Sequence, residues 1–127
     1  MTRYLLDTHI LLWALQDPTS LSKQALSVLE EPANIVYVSA AVVWEIAVKR
    51  ATGKLHFEGD ILPQIQQQAF LLLDITGEHA VMTETLPQIH RDPFDRIQIA
   101  QAKAEDLTFL TRDKTILTYP DVKLLKA

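Results

Sequence analysis

Four carboxylates in this sequence stand where short apolar runs end or beside the apolar face of a helix. Asp7 follows Tyr4-Leu5-Leu6, and Asp113 follows Leu110-Thr111-Arg112. Glu45 has Ala41, Val42, Val48 and Lys49 at three and four positions, and Asp95 closes Asp92-Pro93-Phe94-Asp95. Carboxylates about 4 Å apart repel by roughly 4 kcal/mol at an effective dielectric near 20. A fold that gathers four therefore needs a compensating charge. The sequence has no cysteine and no histidine pair at metal-ligand spacing, so its donors are hard oxygens, which favour Mg²⁺ or Mn²⁺ over Zn²⁺. An ion held in this way commonly meets a phosphate, activates water and neutralises the charge that builds on phosphorus.

Taken singly, each acid also has an ordinary structural role. Asp7 suits the N-cap of the helix that follows it, and Asp113 suits a turn or the cap of a short helix over 114–118. Asp92 reads as an N-cap before Pro93, with Asp95 favoured by the helix dipole or facing Asp7 across a rim. Glu45 is spaced for a surface pair with Lys49, worth about 0.3–0.5 kcal/mol. If buried, it needs a cation or a proton.

The elements that would carry these acids alternate between strand and helix. The apolar run that ends at Asp7 passes directly into Ile10-Leu11-Leu12-Trp13, which reads as a buried strand followed by a helix. A second helix spans 22–31, capped by Ser20 or Ser22 and closed by Pro32. The β-branched run Ile35-Val36-Tyr37-Val38 predicts a second strand. Ser39 then caps a long helix over 40–55, terminated by Gly53. A further helix is expected over 59–70, a third strand over 70–75 and a short helix from Thr76 to before Pro87. A helix beginning at Asp92, a strand over 107–111 and a fifth strand over 122–125 complete the pattern. This is an α/β chain on a mostly parallel sheet of four to five strands. Ligands of such sheets sit beyond the carboxyl ends of the strands, where strand order reverses. The helices at 22–31 and 40–70 exceed what crossovers need, so a projecting helical hairpin is expected there. Trp13 and Trp44 read as core, or as interface anchors if exposed.

At 127 residues, residues 1–127 read as one domain. The 48% hydrophobic and 22% charged content is that of a soluble globular chain. No stretch has the character of a secretory leader or approaches the ~18 apolar residues of a membrane span, so a cytoplasmic location is expected. The net charge of −4 runs against a nucleic-acid partner, unless part of it holds cations.

Four separated stretches, LLDTHILLW, VSAAVVWEIAVK, HRDPFDRIQIAQA and LTRD, strongly resemble the PIN-domain ribonucleases, and most closely the VapC-type toxins of toxin–antitoxin pairs. The resemblance runs from residue 3 to about residue 125. It implies a three-layer α/β/α PIN-like fold and places Asp7, Glu45, Asp95 and Asp113 at the family's catalytic and metal-holding acids. Thr8, Ser39 and Thr111 match small polar positions that line or brace that site. It further implies Mg²⁺- or Mn²⁺-dependent cleavage of RNA, a cognate antitoxin that blocks the site, and a homodimer. Among the basic residues near these motifs, Arg96, Arg112 and Lys114 are candidates to meet RNA phosphates, Arg96 first. His9 and His90 are candidate proton relays or packing residues.

Two other classes compete. A receiver-like signalling domain would be phosphorylated on Asp74, at the end of a central-looking strand, but needs two adjacent acids after the first strand, where this chain has only Asp7. A catalytically silent binding module would keep the fold without the chemistry.

Overall fold

Successive residues of a strand face opposite sides of its sheet, and this chain uses both sides. In the computed structural model, which describes residues 2–127, Leu6, Val36, Val38 and Leu110 point into one apolar cluster, together with Ile10, Leu11, Val42, Ile46, Ile65 and Phe70. Leu5 and Phe109 point into a second, with Leu86, Ile99, Ala100, Leu107 and Ile116. The strands are therefore covered on both faces, giving a three-layer α/β/α arrangement.

The sheet has five strands, β1 (Arg3–Leu6), β2 (Ile35–Ser39), β3 (Leu71–Leu73), β4 (Thr108–Thr111) and β5 (Leu124–Lys126). They lie in the order β3-β2-β1-β4-β5. All four pairings are parallel, so the sheet is wholly rather than mostly parallel. Helices α1 (Thr8–Gln16), α2 (Lys23–Glu30), α3 (Ala40–Ala51) and α4 (Ile61–Gln67) contribute to the first cluster. Helices α5 (Gly77–Met82) and α6 (Pro93–Ala104) lie on the second side. Chain order reverses between β1 and β4, so the crevice between their carboxyl ends is the topological switch point. Asp7 follows β1 there, its N–H donating to the Leu110 carbonyl at 3.0 Å, and Asp113 follows β4 by two residues.

Several expectations need correction. The helices expected over 40–55 and 59–70 are shorter than that, and Ile46, Phe57 and Ile65 of this stretch are buried in the first cluster. Helix α3 stops at Ala51, and Gly53 takes φ +73° just beyond it, a left-handed conformation that glycine adopts at little cost. Residues 54–60 then run without helix and bury Phe57. The third strand is only three residues long and lies at the sheet edge, with Leu71 and Leu72 about half exposed. Asp74 lies outside it, exposed, and its carbonyl accepts from the Gln101 amide at 3.3 Å. A phosphoacceptor beyond a central strand is therefore not what Asp74 is. Trp44 is not core: it is 62% exposed on α3, with its ring edge-on to Phe94 at 4.9 Å. Among the described residues, no helix is long and apolar enough to cross a membrane.

Candidate active site

Each acid is delivered by a different element, and each is held by a short-range contact that the sequence prepares. Asp7 caps α1: its Oδ1 accepts from the Thr8 N–H at 2.8 Å and its Oδ2 from the Thr111 hydroxyl at 2.7 Å. Glu45 is buried on α3. Its Oε1 accepts from the Thr8 hydroxyl at 2.7 Å, and its Oε2 accepts from the Lys49 ammonium at 2.6 Å. Thr8 thus uses its backbone on one acid and its side chain on the next. The Glu45–Lys49 pair foreseen as a surface contact is asymmetric, with the Glu45 side chain 5% and the Lys49 side chain 39% exposed.

Asp92 is the cap of α6, its Oδ1 accepting from the N–H groups of Phe94 and Asp95 at 2.8 and 3.4 Å. Asp95, one turn in, faces the other acids. Burial, and then the charges of Asp7, Asp92, Glu45 and Asp113, push its carboxyl up to about 8. The carboxyl of Asp7 is raised as well, by burial against the opposing hydrogen bonds from Thr111 and Thr8. Asp113 differs. Burial pushes it up, but hydrogen bonds from the Ile116 N–H, His90 and the Thr115 N–H together bring it below the ordinary value. Its Oδ1 accepts from the Thr115 and Ile116 N–H groups at 2.8 and 3.1 Å, so it caps a turn while Oδ2 faces the cluster.

The structure thus brings Asp7, Glu45, Asp95 and Asp113 to one rim, where burial first and the neighbouring acids next raise the carboxyl of Asp95. His90, Asp95 and Asp113 each present a donor atom, all within 4.8 Å of one another. A hard divalent cation fits the carboxylates gathered here, since it would offset the burial and the neighbouring negative charges that raise Asp95.

The supporting positions divide. Thr8 and Thr111 touch the acids directly. Ser39 stands one layer back, where its hydroxyl caps α3 through the Ala41 N–H at 3.0 Å and donates to the buried Gln101 side chain. Arg96 is not free to meet a phosphate. Its guanidinium donates to the carbonyls of Pro87, Thr83 and His90 at 2.9, 2.8 and 3.2 Å, and to the Tyr119 hydroxyl at 3.3 Å. Arg112 is likewise engaged, donating to the carbonyls of Ser20 and Ala127 and lying 4.5 Å over the Trp13 ring. Neither Arg96, on α6, nor Arg112, just beyond β4, has a sequence neighbourhood that signals these distant acceptors. Lys114 is exposed, as is Arg91. His9 is exposed on α1, its ring 6.1 Å from that of Trp13.

Beside the acids, α3 and the start of α6 border an apolar hollow of about 930 Å³ lined by Trp44, Phe94, Ile75, Ile97 and Arg91. A second hollow is lined by Lys49, Lys54, Arg91 and Phe94.

The PIN domain family matches the sequence over residues 4–121. No curated protein matches it significantly. Solved structures share its fold across nearly the whole chain. A VapBC2 complex from Rickettsia felis bound to a promoter DNA fragment is 17% identical, with a TM-score of 0.70 over 98% of both chains. FitAcB from Neisseria gonorrhoeae is 22% identical, with a TM-score of 0.65 over 97% of this chain and 96% of that one. VapBC-5 from Mycobacterium tuberculosis, a member of the VapBC family of toxin–antitoxin systems, is 17% identical, with a TM-score of 0.61 over 100% of both chains.

Proposed function

The chain belongs to the PIN domain family, and from that premise we propose that it is a metal-dependent endoribonuclease, the toxin of a cytoplasmic toxin–antitoxin pair. The observation that carries this is the convergence of four carboxylates from four elements at the switch point, with Asp95 raised to about 8. So much clustered acid is costly to the fold and useful for holding a cation.

Asp7, Glu45, Asp95 and Asp113 would hold Mg²⁺ or Mn²⁺. The bound ion would supply an activated water and neutralise charge on the scissile phosphate. Thr8 and Thr111 fix the orientation of Asp7 and Glu45, so little reorganisation is left for the reacting state. Arg91 and Lys114, exposed near the rim, would meet flanking phosphates of an RNA strand.

The same reading includes two protein partners. The hollow between α2 and the segment that follows α4, lined by Leu26, Leu29 and Phe70, would take an apolar segment of an antitoxin, whose basic side chain reaches the acids. The neighbouring toxin–antitoxin complexes of the same fold support such a partner. Trp44, with Phe94, Ile75 and the 68% exposed Val81, would anchor a second copy in a homodimer.

Inducible expression in bacterial cells tests the proposal. The parent chain should arrest growth and leave transcripts with discrete new 5′ ends. Asp95→Asn should be harmless at equal abundance, and a short open reading frame beside the gene should rescue growth when co-expressed. Growth unaffected by the parent chain would refute the toxin reading.

A further inference from the structure

His90 is held from three sides. Its N–H donates to the Tyr119 hydroxyl at 2.8 Å, and its carbonyl accepts from Arg96 at 3.2 Å. Its Nδ1 accepts from the Asp92 N–H at 3.1 Å. A ring whose Nδ1 accepts carries its proton on Nε2. That Nε2 lies 3.3 Å from Asp113 Oδ2, to which it donates, and 3.2 Å from Asp95 Oδ2. Asp95 rides on α6, whereas Asp113 follows β4 and its carboxylate is otherwise held only through Oδ1. Among the described residues, His90 is the side chain that spans the two.

We infer that His90 is a positioning residue of the acid cluster: it lends one N–H to Asp95 and Asp113, fixes their separation, and stays outside the ligand shell of the cation. Its nitrogen lies close enough to both acids to be taken for a ligand, but the lone pair that a ligand must offer is already spent on the Asp92 N–H. Outer donors of this kind orient ligating carboxylates and commonly account for 10–100-fold in metal affinity. The loop over 87–92 and its Arg96–Tyr119 clamp then have a purpose, which is to aim one imidazole.

The inference rests on the metal-dependent reading above, and Mn²⁺ binding to the RNA-free protein separates the two. Glutamine reaches far enough to put an N–H near the Nε2 position. Asparagine can keep the Asp92 N–H bond through its carbonyl but offers no donor at the acids. His90→Gln should bind Mn²⁺ within about threefold of the parent, and His90→Asn at least about tenfold more weakly, with both melting cooperatively. Nitrogen-15 shifts of the metal-free parent should show the Nε2–H tautomer, and Mn²⁺ bound to the parent should show no directly coordinated imidazole nitrogen by pulsed paramagnetic resonance. Equal affinity in both variants, an asparagine that outperforms glutamine, or a coordinated imidazole would overturn the inference alone. A parent that takes up no Mn²⁺ would overturn the metal reading and this inference with it.

Discussion

The Thr111 hydroxyl donates to the Asp7 carboxylate at 2.7 Å across 104 residues of sequence, joining the carboxyl ends of the two strands that flank the switch point. Thr111 Oγ1 also accepts from the Asp113 N–H at 3.1 Å, so one hydroxyl serves two acids. Thr111→Val keeps the shape and removes both contacts. It should weaken Mn²⁺ binding by about tenfold while lowering stability by only about 1–2 kcal/mol. Titration calorimetry and thermal melting report the two effects separately.

The raised carboxyl of Asp95 has a consequence for stability. Folded and without metal, Asp95 keeps its proton to about pH 8, against 3.8 for the ordinary carboxyl. Between those values the folded chain binds more protons than the unfolded one, so this group's contribution falls as pH rises from about 4 to about 8. Asp95→Asn removes the effect. In EDTA above pH 8 the variant should be more stable by about 1 kcal/mol, roughly 3–5 °C in melting temperature, and the difference should vanish near pH 4. Scanning calorimetry in EDTA across that range checks this. A variant that melts lower at high pH would mark Asp95 as a structural residue.

Arg96 and Arg91 should separate cleanly. Arg96 ties the loop over 87–92 to α6 through several carbonyls, so Arg96→Ala should lower stability by about 2 kcal/mol. Arg91→Ala should leave the melting temperature nearly unchanged, weaken RNA binding and reduce its salt dependence by about one counterion. Denaturant titration and fluorescence anisotropy at several salt concentrations measure these.

Trp44, 62% exposed, adds little to the stability of a single chain. Trp44→Glu should therefore leave the melt of the monomer within about 0.5 kcal/mol yet abolish self-association in light scattering after gel filtration. An unchanged mass would place the dimer contact elsewhere.

Much of this architecture was legible in advance because it follows from local rules. The buried β-branched run at 35–38, the Ser39 and Asp92 caps, and Pro93 at the first turn each specify an element without help from the rest of the chain. The convergence of the acids could be anticipated because residues at strand ends share a rim in a parallel sheet. What the sequence concealed depends on distant partners. Arg96 sits beside a candidate ligand and looks available for phosphate, yet carbonyls at 83, 87 and 90 claim it. Trp44 occupies an apolar-looking helix, but apart from the edge-on Phe94 ring its face is left largely uncovered. His90 lies five residues before Asp95 in an irregular loop, where no periodicity fixes the direction of a side chain. Its role emerges only when the Asp92 N–H and the two acids are seen around one ring.

The most direct test is cleavage of a 5′-labelled single-stranded RNA by the purified protein, in millimolar Mn²⁺ and in EDTA, with Asp95→Asn alongside. A divalent-metal endonuclease built on this cluster gives internal cuts with the parent in Mn²⁺. Those cuts should disappear in EDTA and return with excess metal, and Asp95→Asn should cut at least about a hundredfold more slowly with an unchanged far-UV circular dichroism spectrum. Cleavage that persists in EDTA, or an Asp95→Asn protein that cuts as fast as the parent, would contradict the assignment of these carboxylates to catalysis.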